Sequence, residues 1–242
     1  YDTYIKDSGG KVYLAVAPDK GYFLAEKNGY PALDYEKMLS LLQENMPFAE
    51  YIDLFSHLSL EDYYKTDTHW RQEKIIDASR VLASAMGGGG IGDYTQKKAD
   101  VPFYGVYYGQ SALPLPADKL IYLTNETLQN CRVYDFETGD YIAVYDTGML
   151  TGKDPYQAFL SGSKSLLTIE NPAATNDREL ILFRDSFGSS IAPLLASGYA
   201  KITLVDIRYV SPNMLGRFLD FTGKDVLFLY STSVLNSSET MK

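Results

Sequence analysis

The sequence has very little cysteine and histidine. Cys131 is the only cysteine in 242 residues, so the chain cannot form an internal disulfide framework or a metal site made of several cysteines. The two histidines, His57 and His69, are separated by eleven residues, a spacing that matches no familiar metal-ligand motif. A histidine base for hydrolytic or acyl-transfer chemistry must therefore be one of these two side chains.

Positive charge and long apolar runs are also scarce. The 22 Lys and Arg face 31 Asp and Glu, a formal net charge of −9, which argues against nucleic acid or an anionic membrane surface as a partner. No run of 18 apolar residues occurs, so no segment is predicted to span a bilayer. The four glycines at 87–90 lack the Lys-Ser/Thr of a phosphate-binding loop, and we predict neither a cofactor nor a metal ion.

Tyrosine is abundant, with 21 residues. A tyrosine ring offers an apolar face and a polar hydroxyl, which suits contact with carbohydrate, although packing in sheets explains any single tyrosine equally well. With 45% hydrophobic and 22% charged residues, the composition is that of an ordinary globular protein that buries a substantial core.

Strands and helices alternate at both ends of the sequence. Apolar runs predict strands at residues 11–17, 51–55, 180–183, 202–205 and 226–229. Helical spacing predicts helices over 35–45 with Asp34 as N-cap, from Trp70 to the glycine run, and over 189–196 and 212–219. This alternation is typical of right-handed βαβ units, so we predict a three-layer α/β/α fold with a mostly parallel sheet of about five strands.

The middle of the chain has a different character. Residues 101–146 are rich in Tyr, Val and Thr, with turn signals at 113–116 and 137–140, which predicts short antiparallel strands or hairpins. A further strand is expected at 166–169. We therefore predict a single α/β domain over residues 1–242, with a β-rich insertion at about 91–178 and a flexible junction at the glycine run.

Four polar clusters follow predicted strands or the loops after them. Ligands of an open parallel sheet bind beyond the carboxyl ends of the strands, so we expect these clusters to converge in space. They are Asp19 with Lys20, Asp67 with His69, Asp185 with Ser186, and Asp206 with Arg208 and Tyr209.

Asp67, His69 and Ser186 are the components of a Ser-His-Asp triad. An i, i+2 pair in extended backbone points to one side, which would let the Asp67 carboxylate orient the His69 ring. The alternative is that Asp67 caps a helix starting near Trp70 and His69 is merely exposed. Ser186 follows a strand and precedes a helix, where it could be the nucleophile, a simple N-cap, or both. Acyl transfer is the leading interpretation.

Other polar residues have alternative interpretations. His57 has no carboxylate neighbour at a useful spacing, which favours a surface or packing role. Arg208 would either bind a substrate carboxylate or sugar oxygen, or form an ion pair with Asp206 or Asp185. Trp70, the only tryptophan, is expected to form a wall of the histidine loop rather than a sugar platform.

Residues 63–70, YYKTDTHW, resemble the Asp-His-His-Trp signature of the DHHW family, with Thr68 in place of the first histidine. Residues 184–190 and 204–209 resemble the same family. That family is similar in turn to the SGNH-hydrolase-like proteins that O-acetylate alginate and other exported polysaccharides. The resemblance covers residues 11–86 and 179–235, and the stretch 156–172.

The resemblance implies an SGNH-hydrolase-like, flavodoxin-like fold. It also implies Ser186 as nucleophile, His69 as base and Asp67 as the partner that orients His69, in an order permuted from ordinary SGNH esterases. The oxyanion-hole glycine and asparagine of the SGNH proteins have Gly162 and Asn171 as candidates here.

The activity implied is that of a carbohydrate O-acetyltransferase or O-acetylesterase acting on a cell-envelope or secreted polysaccharide, or on a small acyl ester. The candidate substrate-binding residues are Arg208, Tyr209, Trp70 and Tyr107, and the tyrosine-rich residues 102–145 are expected to overhang the Ser186 pocket. The same resemblance implies an extracytoplasmic location, with a signal segment trimmed before Tyr1, and a membrane-bound acetyl-donor protein as a partner in the full system.

A second class of function stays open at this point. Arg184 occupies the position where the family usually has glycine, and the insertion is rich in tyrosine. These features fit a catalytically inactive SGNH-like module that binds carbohydrate or serves in the cell envelope.

Overall fold

The computed structural model describes residues 1–89, 91–237, 239 and 241, and its largest element is a sheet of eight strands. The strands are β1 Val12–Ala17, β2 Glu50–Ile52, β5 Arg132–Asp135, β6 Asp140–Ile142, β7 Leu166–Glu170, β8 Glu179–Arg184, β9 Lys201–Val205 and β10 Asp225–Ser231. A separate two-stranded sheet pairs β3 Thr95–Lys98 with β4 Ile121–Thr124. Across the large sheet the order is β2-β1-β10-β8-β9-β7-β5-β6.

The parallel part of the sheet contains the five predicted strands. All neighbours in the order β2-β1-β10-β8-β9 are parallel, and the apolar runs of β8 and β10 are buried on both faces, as parallel strands require. The prediction of a mostly parallel sheet is therefore confirmed. The strand count of about five was too low, because β7, β5 and β6 extend the sheet by antiparallel pairing.

Helices cover both faces of the sheet. They are α1 Lys20–Leu24, α2 Tyr35–Asn45, α3 Ile76–Ala85, α4 Val106–Ser111, α5 Glu126–Asn130, α6 Phe187–Leu195 and α7 Thr232–Leu235. In the part of the chain that the structure describes, no helix is long and apolar enough to cross a membrane.

Alternate residues of β1 enter different hydrophobic cores. On β1, Tyr13, Ala15 and Ala17 join the core that holds the buried residues of α3 and α6, whereas Leu14 and Val16 pack against the apolar stripe of α2. The predicted N-cap of α2 is confirmed, since the Asp34 side chain accepts from the Lys37 backbone N–H at 2.9 Å. Sheet and helices thus form the three α/β/α layers that the sequence predicts.

The helix predicted from Trp70 begins six residues later, at Ile76. Trp70 instead forms a β-bridge with Tyr63, and the following 3₁₀ turn Gln72–Lys74 is held by the Gln72 side chain, which bonds the Ser190 carbonyl and the Leu123 N–H. Asp67 therefore does not cap α3, and His69 is buried rather than exposed, so the structural alternative for this pair is wrong.

The glycine run follows α3 closely. The helix ends at Ala85, and Gly87 has the left-handed φ of 66° that an L-side chain rarely adopts. The last glycine of the run, Gly90, lies outside the described residues. The helix predicted over residues 212–219 also differs from the structure, where this stretch contains the 3₁₀ segment Pro212–Arg217.

Candidate active site

The carboxyl edge of the parallel strands gathers the predicted polar clusters. Lys20 follows β1, Ser186 lies two positions after the last residue of β8, and Asp206 comes directly after β9. Because these strands are neighbours or near neighbours in one parallel sheet, their ends meet at the same edge. His69 reaches this edge from the loop between β2 and α3.

A continuous chain of hydrogen bonds joins three of the candidate residues. Asp67 Oδ1 lies 2.6 Å from His69 Nδ1, and His69 Nε2 lies 2.7 Å from Ser186 Oγ. Since the carboxylate accepts from Nδ1–H, the lone pair of Nε2 faces the serine hydroxyl. The structure thus brings together the carboxylate, imidazole and hydroxyl that proton abstraction from serine requires.

Asp67 is held as a carboxylate. Its side chain is almost fully buried, and it also accepts the backbone N–H of His69 at 2.9 Å and of Val106 at 3.1 Å. Burial alone would raise the pKa of the Asp67 carboxyl, but the hydrogen bonds and charge of His69, together with the Val106 N–H, leave this pKa below its usual value. The group that orients His69 is therefore ionised at neutral pH.

Gly105 allows the insertion to reach Asp67. A Cβ atom at this position would lie 2.1 Å from Asp67 Cβ and 2.3 Å from its Oδ2, which is impossible without displacement. Gly105 also donates its N–H to Thr66 Oγ1 at 3.1 Å. This contact could not be predicted from the sequence, where the only signal for it is a single glycine within the aromatic run 103–108.

Tyr156 covers one face of the imidazole. Its ring stacks on His69 with centroids 3.8 Å apart and an interplanar angle of 9°, and its hydroxyl donates to Ser190 Oγ at 2.8 Å. The indole Nε1 of Trp70 donates to the same Ser190 oxygen at 2.8 Å. Burial raises the pKa of Tyr156 above its usual value, so the phenol stays neutral.

Trp70 was a candidate for substrate binding, and that assignment is wrong. Its side chain has no exposed surface, and its ring packs edge-on against Phe187. The structure instead supports the expectation that Trp70 forms a wall of the histidine loop.

Ser186 is the residue of the triad that solvent reaches best. It is half-buried, whereas Asp67 and His69 are buried, and its side chain caps no helix N–H, so it is free to bond His69. The neighbouring Asp185 accepts the N–H groups of Phe187 at 2.9 Å and Ser231 at 2.7 Å. Asp185 thus fixes the turn and ties β8 to β10.

Arg184 is a structural residue beneath helix α6. Its side chain is fully buried and donates to the carbonyl groups of Asp185 and Lys164, both at 3.3 Å, with Asp206 at 3.6 Å. A Cβ on Gly188 would lie 2.5 Å from Arg184 Cβ, so the glycine makes room for it. Burial lowers the pKa of the guanidinium, an effect that the Asp206 carboxylate opposes.

Arg208 forms the ion pair that was one of its two predicted roles. The guanidinium forms two bonds to the Asp206 carboxylate, at 2.9 and 2.7 Å, so it is committed to an ion pair and not to a substrate carboxylate. Tyr209, beside it, is 49% exposed, with the Arg208 guanidinium 5.4 Å from its ring centre. Substrate contact at Tyr209 stays a prediction.

The two oxyanion candidates do not serve that role. Asn171 follows β7, which runs antiparallel to β9, so it lies at the opposite end of the sheet from Ser186, and its amide bonds the Ala196 carbonyl at 3.0 Å. The Gly162 N–H is nearer in the fold but already donates to the Phe159 carbonyl at 3.2 Å. Both assignments rested on a family motif alone. That motif does not reveal that β7 joins the sheet antiparallel to β9, which places Asn171 far from Ser186.

Tyr107 lies on the far side of the Asp67 loop from Ser186. The Lys20 ammonium sits 4.7 Å from its ring centre and also donates to the carbonyl oxygens of Tyr64 and Asp67, the latter at 2.6 Å. Both residues line a cleft of about 1110 Å³ whose lining includes neither Ser186 nor His69. The expectation that residues 102–145 overhang Ser186 is thus not met by Tyr107, which contacts the loop behind the triad.

Three solved structures share this fold. A DHHW family protein from Eubacterium siraeum superposes with a TM-score of 0.72 at 22% identity, over 94% of this chain and 79% of that one. Bacillus cereus PatB1 with a sulfonyl adduct gives 0.74 at 21% identity, over 95% and 84%. The O-acetyltransferase domain of Pseudomonas putida AlgJ gives 0.53 at 12% identity, over 98% and 78%.

No protein-family model matches the chain, and no curated protein matches it in sequence. At these low identities the three likenesses establish the fold. The similarity to DHHW family and O-acetyltransferase structures that the motifs predict is confirmed at that level.

Proposed function

We propose that the protein is a serine acyl-transfer enzyme that moves an acetyl group from an ester to a polysaccharide hydroxyl or to water. The observation that carries the proposal is the Asp67–His69–Ser186 hydrogen-bond chain, with distances of 2.6 and 2.7 Å. Ser186 is half-buried and not sealed from solvent, which favours catalysis over the inactive carbohydrate-binding alternative.

In the first half-reaction Ser186 Oγ attacks the acyl carbonyl carbon while its proton passes to His69 Nε2. The tetrahedral intermediate then collapses, the ester C–O bond breaks, and the leaving alkoxide takes the proton from His69. Among the described residues no acceptor bonds the backbone N–H of Ser186, which makes it one donor for the developing oxyanion. The Asp67 carboxylate stabilises the imidazolium that forms between these steps.

In the second half-reaction an acceptor hydroxyl gives its proton to His69 Nε2 and attacks the acyl-serine carbonyl. Collapse breaks the bond to Ser186 Oγ, which recovers its proton from His69. The acceptor is a sugar hydroxyl in a transferase and water in an esterase. The shared fold with the AlgJ O-acetyltransferase domain supports acetyl transfer. From the resemblance of residues 63–70 and 184–190 to proteins that O-acetylate exported polysaccharides, we extend the proposal to a polysaccharide acceptor and to an extracytoplasmic protein that receives acetyl groups from a membrane-bound donor protein.

The proposal is tested with hydrolysis of a small acetyl ester such as 4-nitrophenyl acetate. Ser186→Ala and His69→Ala should each lower kcat by about three orders of magnitude or more, and Asp67→Asn by somewhat less, without loss of the folded circular dichroism spectrum. His57→Ala, which changes the exposed histidine, is the matched control and should leave the rate unchanged. Wild-type turnover in Ser186→Ala would reject Ser186 as nucleophile.

Covalent labelling tests the nucleophile independently of substrate choice. A structural neighbour carries a sulfonyl adduct, so an aryl sulfonyl fluoride should add one sulfonyl group to this chain, located at Ser186 by peptide mass spectrometry. The nearby Ser190 is the internal control, because its hydroxyl is buried and bonded to Trp70 and Tyr156. Labelling that persists in Ser186→Ala would count against the proposal.

A further inference from the structure

The cleft behind the triad is positively charged in an acidic protein. Its lining has four basic side chains, Lys20, Lys65, Arg71 and Lys74, against two acidic ones, Glu61 and Asp118, whereas the chain as a whole has a net charge of −9. A local excess of the opposite sign to the molecule's net charge marks the cleft as a place where an anion is favoured.

The charges available to a ligand belong to Lys65 and Lys74. Arg71 is bound to Glu73 at 2.6 Å, and Lys20 is directed at backbone carbonyls. Lys65 and Lys74 are exposed, and neither ammonium has an ion-pair partner among the described residues. On the acidic side, the Asp118 carboxylate already accepts the backbone N–H groups of Lys65 and Thr66 at 3.0 and 2.7 Å.

The rest of the lining is largely apolar and aromatic. Tyr30, which is 70% exposed, and the half-buried Tyr107 both line the cleft. Tyr63 and Tyr64, which are buried, also contribute to its wall. Tyrosine faces pack against the C–H faces of sugar rings while their hydroxyls bond sugar oxygens.

We infer that this cleft binds an acidic segment of the acceptor polysaccharide. Sugar rings pack on Tyr30 and Tyr107, and their carboxylates lie opposite Lys65 and Lys74. The inference rests on the proposed function, because it assigns the acceptor of that reaction. Lys65 lies two positions before Asp67, and Lys20 bonds the Asp67 carbonyl, so the cleft and the Ser186 site share the loop that carries Asp67 and His69.

Binding is measured by calorimetry on Ser186→Ala protein, which separates it from turnover. The probes are oligogalacturonates and their fully methyl-esterified counterparts, which have the same sugar backbone without the charge. The acidic oligomers should bind more tightly than the esters, and their affinity should fall as salt is raised. Lys65→Ala/Lys74→Ala should weaken binding of the acidic oligomers by about tenfold, the order expected for two solvent-facing ion pairs.

Lys97→Ala/Lys98→Ala is the matched control, because these two exposed lysines lie on β3 outside the cleft; it should not change the affinity. Tyr30→Ala should weaken the binding of the acidic and the esterified oligomers by the same factor. Equal affinity for both oligomer types, equal loss in the two double-lysine variants, no binding at all, or equally tight binding of oligoglutamate would each overturn the inference. If binding behaves as expected but wild-type protein hydrolyses no ester, the proposed function fails while the cleft assignment stands.

Discussion

At the scale of single residues, the imidazole of His69 is fixed from three directions. Asp67 bonds Nδ1, Ser186 bonds Nε2, and Tyr156 stacks on the ring face. Ser190 supports this arrangement, since its hydroxyl accepts from both Tyr156 and Trp70. A base held this way loses little orientational freedom when substrate binds, which is the condition for efficient proton transfer.

Two replacements of Tyr156 should distinguish the contribution of the ring stack to kcat from that of the hydroxyl. Tyr156→Phe keeps the stack and loses one buried hydrogen bond, so kcat should fall by about tenfold or less. Tyr156→Leu loses the stack, frees the imidazole to tilt, and should lower kcat by about a hundredfold, with a change in the pH dependence of kcat/KM that a purely structural role would not produce. Equal pH profiles for both variants and wild type would contradict a positioning role for Tyr156.

The lowered pKa of Asp67 makes the free energy of unfolding depend on pH. A carboxyl with a native pKa below its unfolded value stabilises the fold fully above the unfolded pKa, and this stabilisation is lost as pH falls through the native pKa. Asp67→Asn should therefore cost about 1–3 kcal/mol of unfolding free energy at pH 7. The difference from wild type should shrink as the solution is acidified, as measured by urea unfolding between neutral pH and about pH 3. A difference that grows on acidification would contradict an ionised Asp67 in the native protein.

At the scale of elements, helix α4 and the turn before it, which belong to the insertion, contact Asp67 and help to position its carboxylate. The close approach of Gly105 lets Val106 donate its N–H to Asp67 Oδ2 at 3.1 Å. Gly105 has φ −87° and ψ −172°, which alanine also adopts, so its requirement here is for space and not for backbone freedom.

Gly105→Ala should thus act through Asp67. The added methyl group displaces the carboxylate or the helix, and we expect the rate of ester hydrolysis to fall by about a hundredfold with a loss of about 1–3 kcal/mol in stability. Gly109→Ala, in the same helix with no atom within 4 Å of the added Cβ, is the matched control. Similar rates for the two variants would show that the insertion does not position Asp67.

The parallel strands, α2 with its cap, and the juxtaposition of Asp67, His69 and Ser186 were predicted from the sequence, because local periodicity and short motifs encode them. The partners of the triad were not. Tyr156 and Val106 reach His69 and Asp67 only through the packing of a distant segment, and no spacing rule connects positions so far apart. Asn171 was misplaced for the same reason, since the antiparallel direction of β7 depends on its pairing with β9.

At the scale of the whole molecule, the two edges of the sheet have separate roles. The carboxyl edge holds the triad, whereas at the opposite edge Arg178 links Asp225, at the start of β10, to the Met86 carbonyl after α3, at 2.8 and 2.6 Å. Its guanidinium also lies 4.8 Å from the Tyr199 ring centre. Hydrogen bonds that join three elements stabilise their packing without contact to the reacting groups.

Arg178→Met should consequently lower stability and leave catalysis intact. We expect a loss of about 1–2 kcal/mol, discounted for the partial exposure of the pair, and a fall in Tm of about 2–4 °C per kcal/mol. The value of kcat per folded molecule should equal that of wild type. A drop in kcat at a temperature where the variant is fully folded would contradict this separation of roles between the two edges of the sheet.

The position of β10 governs when the edge of the sheet that carries Ser186 can be assembled. Residues 225–231 form the last strand along the described part of the chain, yet that strand lies between β1 and β8 in the middle of the sheet. Until it inserts, the segment that carries Lys20 and the turn that carries Ser186 belong to separate fragments, and the Asp185 turn lacks its bond to Ser231. Such long-range parallel pairing forms late and leaves apolar strand faces open during synthesis. The turn that carries Ser186 therefore gains its final support only after β10 has entered the sheet, so any activity of the proposed site depends on this late step of folding.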